Sequence, residues 1–161
     1  MTKRVFDFTF AFLGLCVLAP LFLLLGLLVK WDSPGPVWFR QERMGRSFHP
    51  FTLYKFRTMI PGNLGNNVSL TIGQDPRITR VGHLLRQTKL DELPQLLNVL
   101  IGDMSFVGPR PEMGRYVEMF REDYQEILRV RPGFAGCTLP QDSERGITLL
   151  IHQKISMKPN Q

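Results

Sequence analysis

The sequence predicts an α+β chain, mainly helical, in which an N-terminal re-entrant membrane helix precedes a small cytosolic domain with a short β-hairpin and amphipathic helices. Three observations carry this prediction. Residues 8–29 form one uncharged run of 22 residues. Two β-prone runs separated by a Gly-containing turn follow it. Beyond these, three stretches place leucine and aromatic residues at helical spacing.

Composition restricts both the fold and the class of partner. The chain has 161 residues, enough for one domain and a short appendage. Hydrophobic residues make up 43% and charged residues 21%, which excludes a disordered polyelectrolyte and a multi-span membrane protein. Lys and Arg exceed Asp and Glu by 20 to 14, a net charge of +6 that favours an anionic partner. Two cysteines form no disulfide framework or metal-ligand spacing.

The uncharged run is long enough for about 33 Å of helix, against a hydrocarbon core of about 30 Å. Its length exceeds that of a signal-peptide core. Pro20 lies near its middle and predicts a helix break, which leaves two arms too short to cross. Basic residues flank both ends, Lys3 and Arg4 before it and Lys30 after it, so the positive-inside tendency favours re-entry. A single spanning helix is the alternative.

The hairpin and the first helix follow from local signals. After a turn-forming linker at 33–36, the runs 37–43 and 48–56 predict two strands, with Phe51, Leu53, Tyr54 and Phe56 giving one buried face. The Gly- and Asn-rich residues 61–74 predict a loop. Asp75 as N-cap and Pro76 as first residue then predict a basic amphipathic helix, which lies either along an anionic membrane surface or in a globular domain.

Two more helices complete the prediction. Leucines at 93, 96, 97 and 100 indicate a helix that begins near Leu90 or Asp91 and ends at Gly102. A third helix is predicted over 112–130, between Pro111 and Pro132. Its apolar stripe indicates core packing rather than a binding surface.

Asp91 and Glu92 are the acidic pair with the strongest chemical potential, because they lie at a predicted helix start near basic residues. In the first turn, both carboxylates can reach one Mg²⁺ through oxygen ligands. The structural alternative is that Asp91 caps the helix and Glu92 favours its dipole. Five cations beside turns and helix ends are the candidate phosphate-binding residues: Lys55, Arg57, Arg86, Arg110 and Arg131.

Other chemistries lack their signals. The three histidines show no ligand or triad spacing, and no Gly-rich loop matches a nucleotide-binding fingerprint. The basic residues lack the interleaved aromatics of a single-strand binder, and no nucleic-acid partner is predicted.

Several blocks in order resemble one known family. They are Lys3-Arg4-Val5-Phe6-Asp7 with Pro20, SPGPVWFRQERMG (33–45), YKFRTM (54–59), DPRITRVGHLLRQTKLDELPQLLNVLIGDMSFVGPRPE (75–112) and VRPGFAG (130–136). The chain resembles the bacterial sugar transferases of the small monotopic phosphoglycosyl transferase family.

The resemblance implies transfer of a sugar-1-phosphate from a UDP-sugar to undecaprenyl phosphate with release of UMP, as the first membrane step of exopolysaccharide, capsule or O-antigen synthesis. It implies that Asp91 is the nucleophile, Glu92 its partner at a Mg²⁺ site and Arg86 a phosphate ligand. It further implies a bacterial inner-membrane protein, monotopic among membrane lipids, with its catalytic domain on the cytoplasmic face.

These inferences divide the chain into a re-entrant membrane helix (1–30), a catalytic domain (31–136) and a divergent tail (137–161). The tail is short, polar and poorly patterned, and predicts a truncated or frame-shifted product. The alternative function is therefore a catalytically weak membrane-associated protein that only binds lipid phosphate or partners. A membrane-tethered nucleic-acid binder would explain the charge but not residues 75–112.

Overall fold

The computed structural model describes residues 2–60 and 75–136 of the chain. It is mainly helical, as the sequence predicts, and it contains two small sheets, of which only the hairpin was expected. The helices are α1 (Thr2–Asp32), α2 (Arg80–Thr88), α3 (Gln95–Ile101), α4 (Gly114–Met119) and α5 (Arg121–Ile127). The strands are β1 (Trp38–Met44), β2 (Pro50–Phe56), β3 (Ser105–Gly108) and β4 (Gly133–Gly136), and short 3₁₀ helices cover Arg46–Phe48 and Leu90–Glu92. The predicted loop at 61–74 and tail at 137–161 lie outside the described residues.

Helix α1 is continuous over 31 residues, and Pro20 lies inside it. The predicted helix break at Pro20 is therefore wrong. Proline removes one backbone donor, but its fixed φ of about −65° is helical, so the remaining bonds can sustain the helix. By length and composition α1 is able to cross a membrane, with a mean hydropathy of 2.8 over its most apolar window.

The predicted hairpin is confirmed. Strands β1 and β2 pair antiparallel from Trp38 opposite Phe56 to Met44 opposite Pro50. The prediction of one buried face is wrong, because side chains alternate along a strand. Leu53 packs with Ala11 of α1, whereas Phe56 packs in a second cluster with Leu25. Strand β2 is thus covered on both faces.

A second, parallel pair of strands was not predicted. Strand β3 pairs with β4, with Ser105 opposite Gly133 and Val107 opposite Ala135. Four-residue strands give little periodicity to detect. Glycine makes the close approach possible, since a Cβ on Gly133 would overlap the backbone of Gly108.

Helix α2 begins four residues later than predicted. Its N-cap is Thr79, whose hydroxyl accepts a hydrogen bond from the Gly82 amide. The Asp75 carboxylate instead binds the backbone and guanidinium of Arg77. Pro76 and Arg77 form a turn instead of the first helical turn, Ile78 then forms a β-bridge with Met59, and Thr79 is extended. Tertiary pairing therefore delays a helix that the Asp-Pro signal placed earlier.

The other two helices differ from prediction in detail. Leu90–Glu92 is a 3₁₀ turn and the α-helix begins at Gln95, ending as predicted at Gly102, whose φ is +109°. The predicted helix 112–130 is divided at Phe120, where φ is −122° and ψ is 40°. Its apolar stripe is core, as predicted: Val117, Tyr124 and Leu128 form one buried cluster.

Helix α1 packs along the rest of the protein rather than extending away from it. Near its N-terminus Ala11 is fully buried against Val99 and Met104. Near its C-terminus Leu25 and Val29 pack with Phe56 and Leu85. Its opposite face exposes large apolar side chains: Val5, Phe6, Phe8, Phe10, Phe12, Leu13, Val17, Leu23, Leu24 and Leu27.

Candidate active site

The acidic pair lies on the 3₁₀ turn between α2 and α3. Lys89 ends α2 in the left-handed conformation, with φ of 60°, and the chain then turns through Leu90–Glu92. Asp91 is buried and Glu92 is half-buried. Asp91 Oδ1 has no hydrogen-bond partner within the described residues, although it is fully enclosed. An acceptor oxygen left without a partner in a buried position is characteristic of a functional group rather than a structural cap.

Glu92 faces two of the predicted cations. Lys55 Nζ lies 2.7 Å from Glu92 Oε1, and Arg110 Nη2 lies 3.9 Å from the same oxygen. Burial alone would raise the pKa of Glu92, but the Lys55 hydrogen bond and the charges of Lys55, Arg110 and Lys89 outweigh it and lower the pKa. Glu92 is therefore a stable anion at neutral pH.

Asp91 is in a different electrostatic position. Burial is the largest influence and raises the pKa of Asp91, and the negative charge of Glu92 raises it further. The positive charges of Lys55, Arg86 and Lys89 lower the same pKa. The net direction is upward, in contrast to Glu92. Neighbouring carboxylates whose pKa values move apart are typical of functional sites.

Arg86 reaches the site from the last turn of α2. Its Nε donates a hydrogen bond to Thr58 Oγ1 at 2.9 Å. Because Thr58 is buried, this bond orients the Arg86 guanidinium. Lys55 lies in β2 and Thr58 lies two residues after its end, so this segment supplies one wall of the site.

A small open pocket of about 50 Å³ lies beside Glu92. This volume suits a phosphate-sized group rather than a whole nucleotide sugar. Arg43, Lys55, Glu92, Gln95, Arg110 and Phe134 are among its lining residues.

Arg43, Gln95 and Phe134 were missed by sequence reasoning. Strand alternation could have identified Arg43, because the register pairs it with Phe51, on the same face of the hairpin as Lys55. Gln95 and Phe134 reach the pocket through α3 and β4, for which the sequence carried no comparable signal.

The turn that carries Arg110 is held from two sides. On one side, the Met44 amide donates to the Glu112 carbonyl at 2.9 Å, and Arg43 donates to the Pro111 carbonyl at 3.3 Å. On the other, the Gly133 amide donates to the Pro109 carbonyl at 2.8 Å. The backbone of this turn is therefore fixed, whereas the Arg110 side chain is exposed.

Two of the predicted phosphate ligands, Arg57 and Arg131, make no contact with the acidic pair in the described part of the chain. Arg57 is 5% exposed, and its guanidinium donates to Ser33 and Pro34 in the linker after α1. Arg57 therefore anchors the linker and does not contact the acidic pair, and its phosphate-binding role stays a prediction. Arg131 precedes β4, and its carbonyl lies against Gly108. Its side chain makes no hydrogen bond or ion pair to residues 2–60 and 75–136.

The residues present fit a Mg²⁺ site of the kind completed by substrate. Within the described residues, no three His, Cys, Asp or Glu side chains come together as a metal cluster. Mg²⁺ is commonly held by one or two carboxylates plus substrate phosphates. Among the residues that the structure describes, Asp91 Oδ1 has no hydrogen-bond partner, and both ion pairs of Glu92 use Oε1.

Comparison with known proteins identifies the family. The profile of the bacterial sugar transferase family matches residues 1–158. The chain is 45% identical over 141 residues to the exopolysaccharide production protein PSS of Rhizobium leguminosarum bv. phaseoli, covering 83% of this chain and 70% of that relative. It is 45% identical over 139 residues to a UDP-glucose:undecaprenyl-phosphate glucose-1-phosphate transferase of Caulobacter vibrioides, covering 84% and 52%.

A further relative carries the same name. It is the UDP-glucose:undecaprenyl-phosphate glucose-1-phosphate transferase of Escherichia coli (strain K12), 43% identical over 139 residues, with 84% of this chain and 30% of that relative covered. The family match and these relatives support a transferase. The chain belongs to the bacterial sugar transferase family.

Proposed function

We propose that this protein transfers a sugar-1-phosphate from a UDP-sugar to undecaprenyl phosphate and releases UMP, as the first membrane step in the assembly of an exopolysaccharide, capsule or O-antigen. The observation that carries the proposal is the enclosed Oδ1 of Asp91, which lies beside Glu92, Lys55 and Arg86 and has no hydrogen-bond partner in the described part of the chain. The activities named for the relatives support the same reaction class.

In the first step, an Asp91 carboxylate oxygen attacks the phosphorus that bears the sugar. The bond from that phosphorus to the bridging oxygen breaks, and UMP leaves with the electron pair. An ionised carboxylate needs no general base for this attack. We assign the attack to Asp91, whose Oδ1 has no partner within residues 2–60 and 75–136, and binding to Glu92, whose Oε1 is paired with Lys55 and Arg110.

In the second step, a phosphate oxygen of undecaprenyl phosphate attacks the same phosphorus. The anhydride bond to Asp91 breaks, the carboxylate is regenerated, and the lipid diphosphate sugar is released. Lys55, Arg86 and Arg110 lie around the acids and hold phosphate oxygens in both steps. Arg131 is a less direct candidate for the same role, from the strand beside the Arg110 turn.

Asp91 and Glu92 are the residues that would hold Mg²⁺. When bound, the ion would neutralise charge on the diphosphate and on the departing UMP. Lys55 keeps Glu92 ionised and oriented for this role.

The packing of α1 supports a monotopic arrangement with both helix ends on the cytoplasmic side. Between Asp7 and Val29 the helix would rise about 33 Å, comparable to a bilayer core. Yet Asp7 contacts Ser105, and Val29 packs with the cluster around Phe56 and Leu85. A helix that crossed the membrane could not keep both contacts with one polar domain, so α1 would lie with its exposed apolar face in lipid.

The test is UMP release from a panel of UDP-sugars by membrane-embedded protein supplied with undecaprenyl phosphate and Mg²⁺. Asp91→Asn should abolish release and leave membrane flotation unchanged. Asp123→Asn, at an exposed acid on α5, is the matched control and should retain activity. Intact-mass analysis should detect a phosphosugar adduct on wild-type protein only. Near-normal turnover by Asp91→Asn would end the nucleophile assignment, and no release by wild type would favour a binding-only protein.

A further inference from the structure

Arg4 in the first turns of α1 binds the end of α3. Its Nη1 donates to the Val99 carbonyl at 2.6 Å and its Nη2 to the Leu100 carbonyl at 2.7 Å. Helix α3 has no basic residue in its own last turn. Terminal carbonyls of a helix lack intrahelical partners and favour a cation. Arg4 therefore supplies a C-terminal cap to α3 from a distant part of the sequence.

Asp7, one turn further along α1, binds the beginning of β3. It is 3% exposed, and its carboxylate accepts from Ser105 Oγ at 2.8 Å and from the Phe106 amide at 3.2 Å. Burying a carboxylate is costly unless hydrogen bonds compensate. Among residues 2–60 and 75–136 Asp7 forms no ion pair, and the proposed reaction does not use it, which indicates a separate task.

The two contacts fix the two segments that carry the site. Helix α3 follows directly on the turn of Asp91 and Glu92. Strand β3 leads into the turn that carries Arg110. Arg110 is 64% exposed, and its ion pair with Glu92 is long at 3.9 Å, so backbone position rather than side-chain packing aims its guanidinium.

We propose that Arg4 and Asp7 form a positioning lock, in which the head of the membrane helix sets the distance between the acidic pair and Arg110. The lock deepens the proposed function and rests on it for its kinetic consequences. Neither residue touches the reacting atoms. The alternative is that these charges serve only to keep the N-terminus of α1 on the cytoplasmic side.

The kinetic test uses the full chain in membranes. Asp7→Ala should lower kcat for UMP release 10- to 100-fold, with KM for the UDP-sugar within threefold, because a shift of about 1 Å can cost about 10²-fold in rate. Asp7→Asn should restore activity to within about fivefold of wild type, since its amide oxygen can accept from Phe106 while its NH₂ donates to Ser105. Loss of activity in Asp7→Asn equal to that in Asp7→Ala would overturn the lock, because charge would then be the requirement. Lys30→Gln, which removes a flanking charge at the other end of α1, should be neutral.

Coupling to Arg110 is the second arm. In an Arg110→Ala background, Asp7→Ala should lower kcat less than threefold further, because it acts through that side chain. A full additional loss would refute the mechanism.

Hydrogen exchange gives a readout that does not depend on turnover. Asp7→Ala should raise exchange in 105–112 and leave α5 unchanged, and unchanged protection in 105–112 would overturn the lock. If wild type releases no UMP, the proposed function fails, and exchange alone decides whether the lock exists.

Discussion

Replacement of Lys55 by Met should remove most of the turnover without unfolding the protein. The Lys55–Glu92 contact is short, at 2.7 Å, and the two side chains are only 20% and 22% exposed. A charge-assisted hydrogen bond in such a setting contributes about 1.5–3 kcal/mol, unlike an exposed pair. Lys55→Met also removes a cation from the phosphate site, where loss of one stabilising donor costs about 10²–10³-fold in kcat.

The expected result is a fall in kcat/KM for UMP release on the order of 10²-fold, about 2.7 kcal/mol. Lys89→Met is the matched control, because Lys89 is exposed and acts on both acids only through its charge. It should lose less than fivefold. Equal effects of the two variants would refute the reasoning, because general positive charge rather than the Lys55 contact would then support activity.

Three further predictions concern stability, measured by thermal and chemical denaturation in detergent. Burial, with the charges of Glu112 and Asp123, raises the pKa of Tyr124 from 10.0 to about 12, so its stabilising effect is complete below pH 10 and is lost as pH rises through 12. Between pH 10 and 12 the wild-type protein should lose roughly 3 kcal/mol of its free energy of unfolding through this group, and Tyr124→Phe should not show that loss. The same alkaline loss of stability in both proteins would contradict the prediction. Arg57→Lys should lower the free energy of unfolding by about 2–4 kcal/mol, because lysine cannot replace the planar set of donors. Arg40→Lys, at an exposed arginine, is the control and should leave stability unchanged. Normal stability with lost turnover in Arg57→Lys would instead support a phosphate-binding role for Arg57. Gly133→Ala should lower the free energy of unfolding by about 1–3 kcal/mol, because its Cβ would clash with the backbone of β3. Gly14→Ala is the control and should be tolerated, since a Cβ there meets Leu96 at 3.7 Å. Equal effects of the two variants would count against the clash.

Elements controlled by near neighbours were predicted well from sequence. The hairpin was found because β-prone runs flank a turn, and Gly102 ended α3 where predicted. The acidic pair was located because it is adjacent in sequence and lies at a helix start. The structure brings Lys55 and Arg110 to Glu92, and their phosphate-binding role stays a prediction.

Elements controlled by distant contacts were predicted poorly. The Asp75-Pro76 signal was locally sound, but the bridge between Met59 and Ile78 kept the chain extended and moved the cap to Thr79. Lys55 and Arg57 are two residues apart, yet one meets Glu92 and the other is buried against the linker at Ser33. No local pattern separates two basic residues with such different partners.

The sequence by itself determined that this protein has one long apolar helix, a hairpin, several short helices and an acidic pair near cations, because periodicity and turn chemistry are local properties. The tertiary structure alone decided which charges meet. It brought Arg4 and Asp7 to α3 and β3, about 100 residues away in the chain, and enclosed Asp91 Oδ1 without a hydrogen-bond partner from the rest of residues 2–60 and 75–136. The physical reason is that the function of a buried charged side chain depends on the groups that surround it. Those groups come from segments far apart in sequence, which only the tertiary packing brings together.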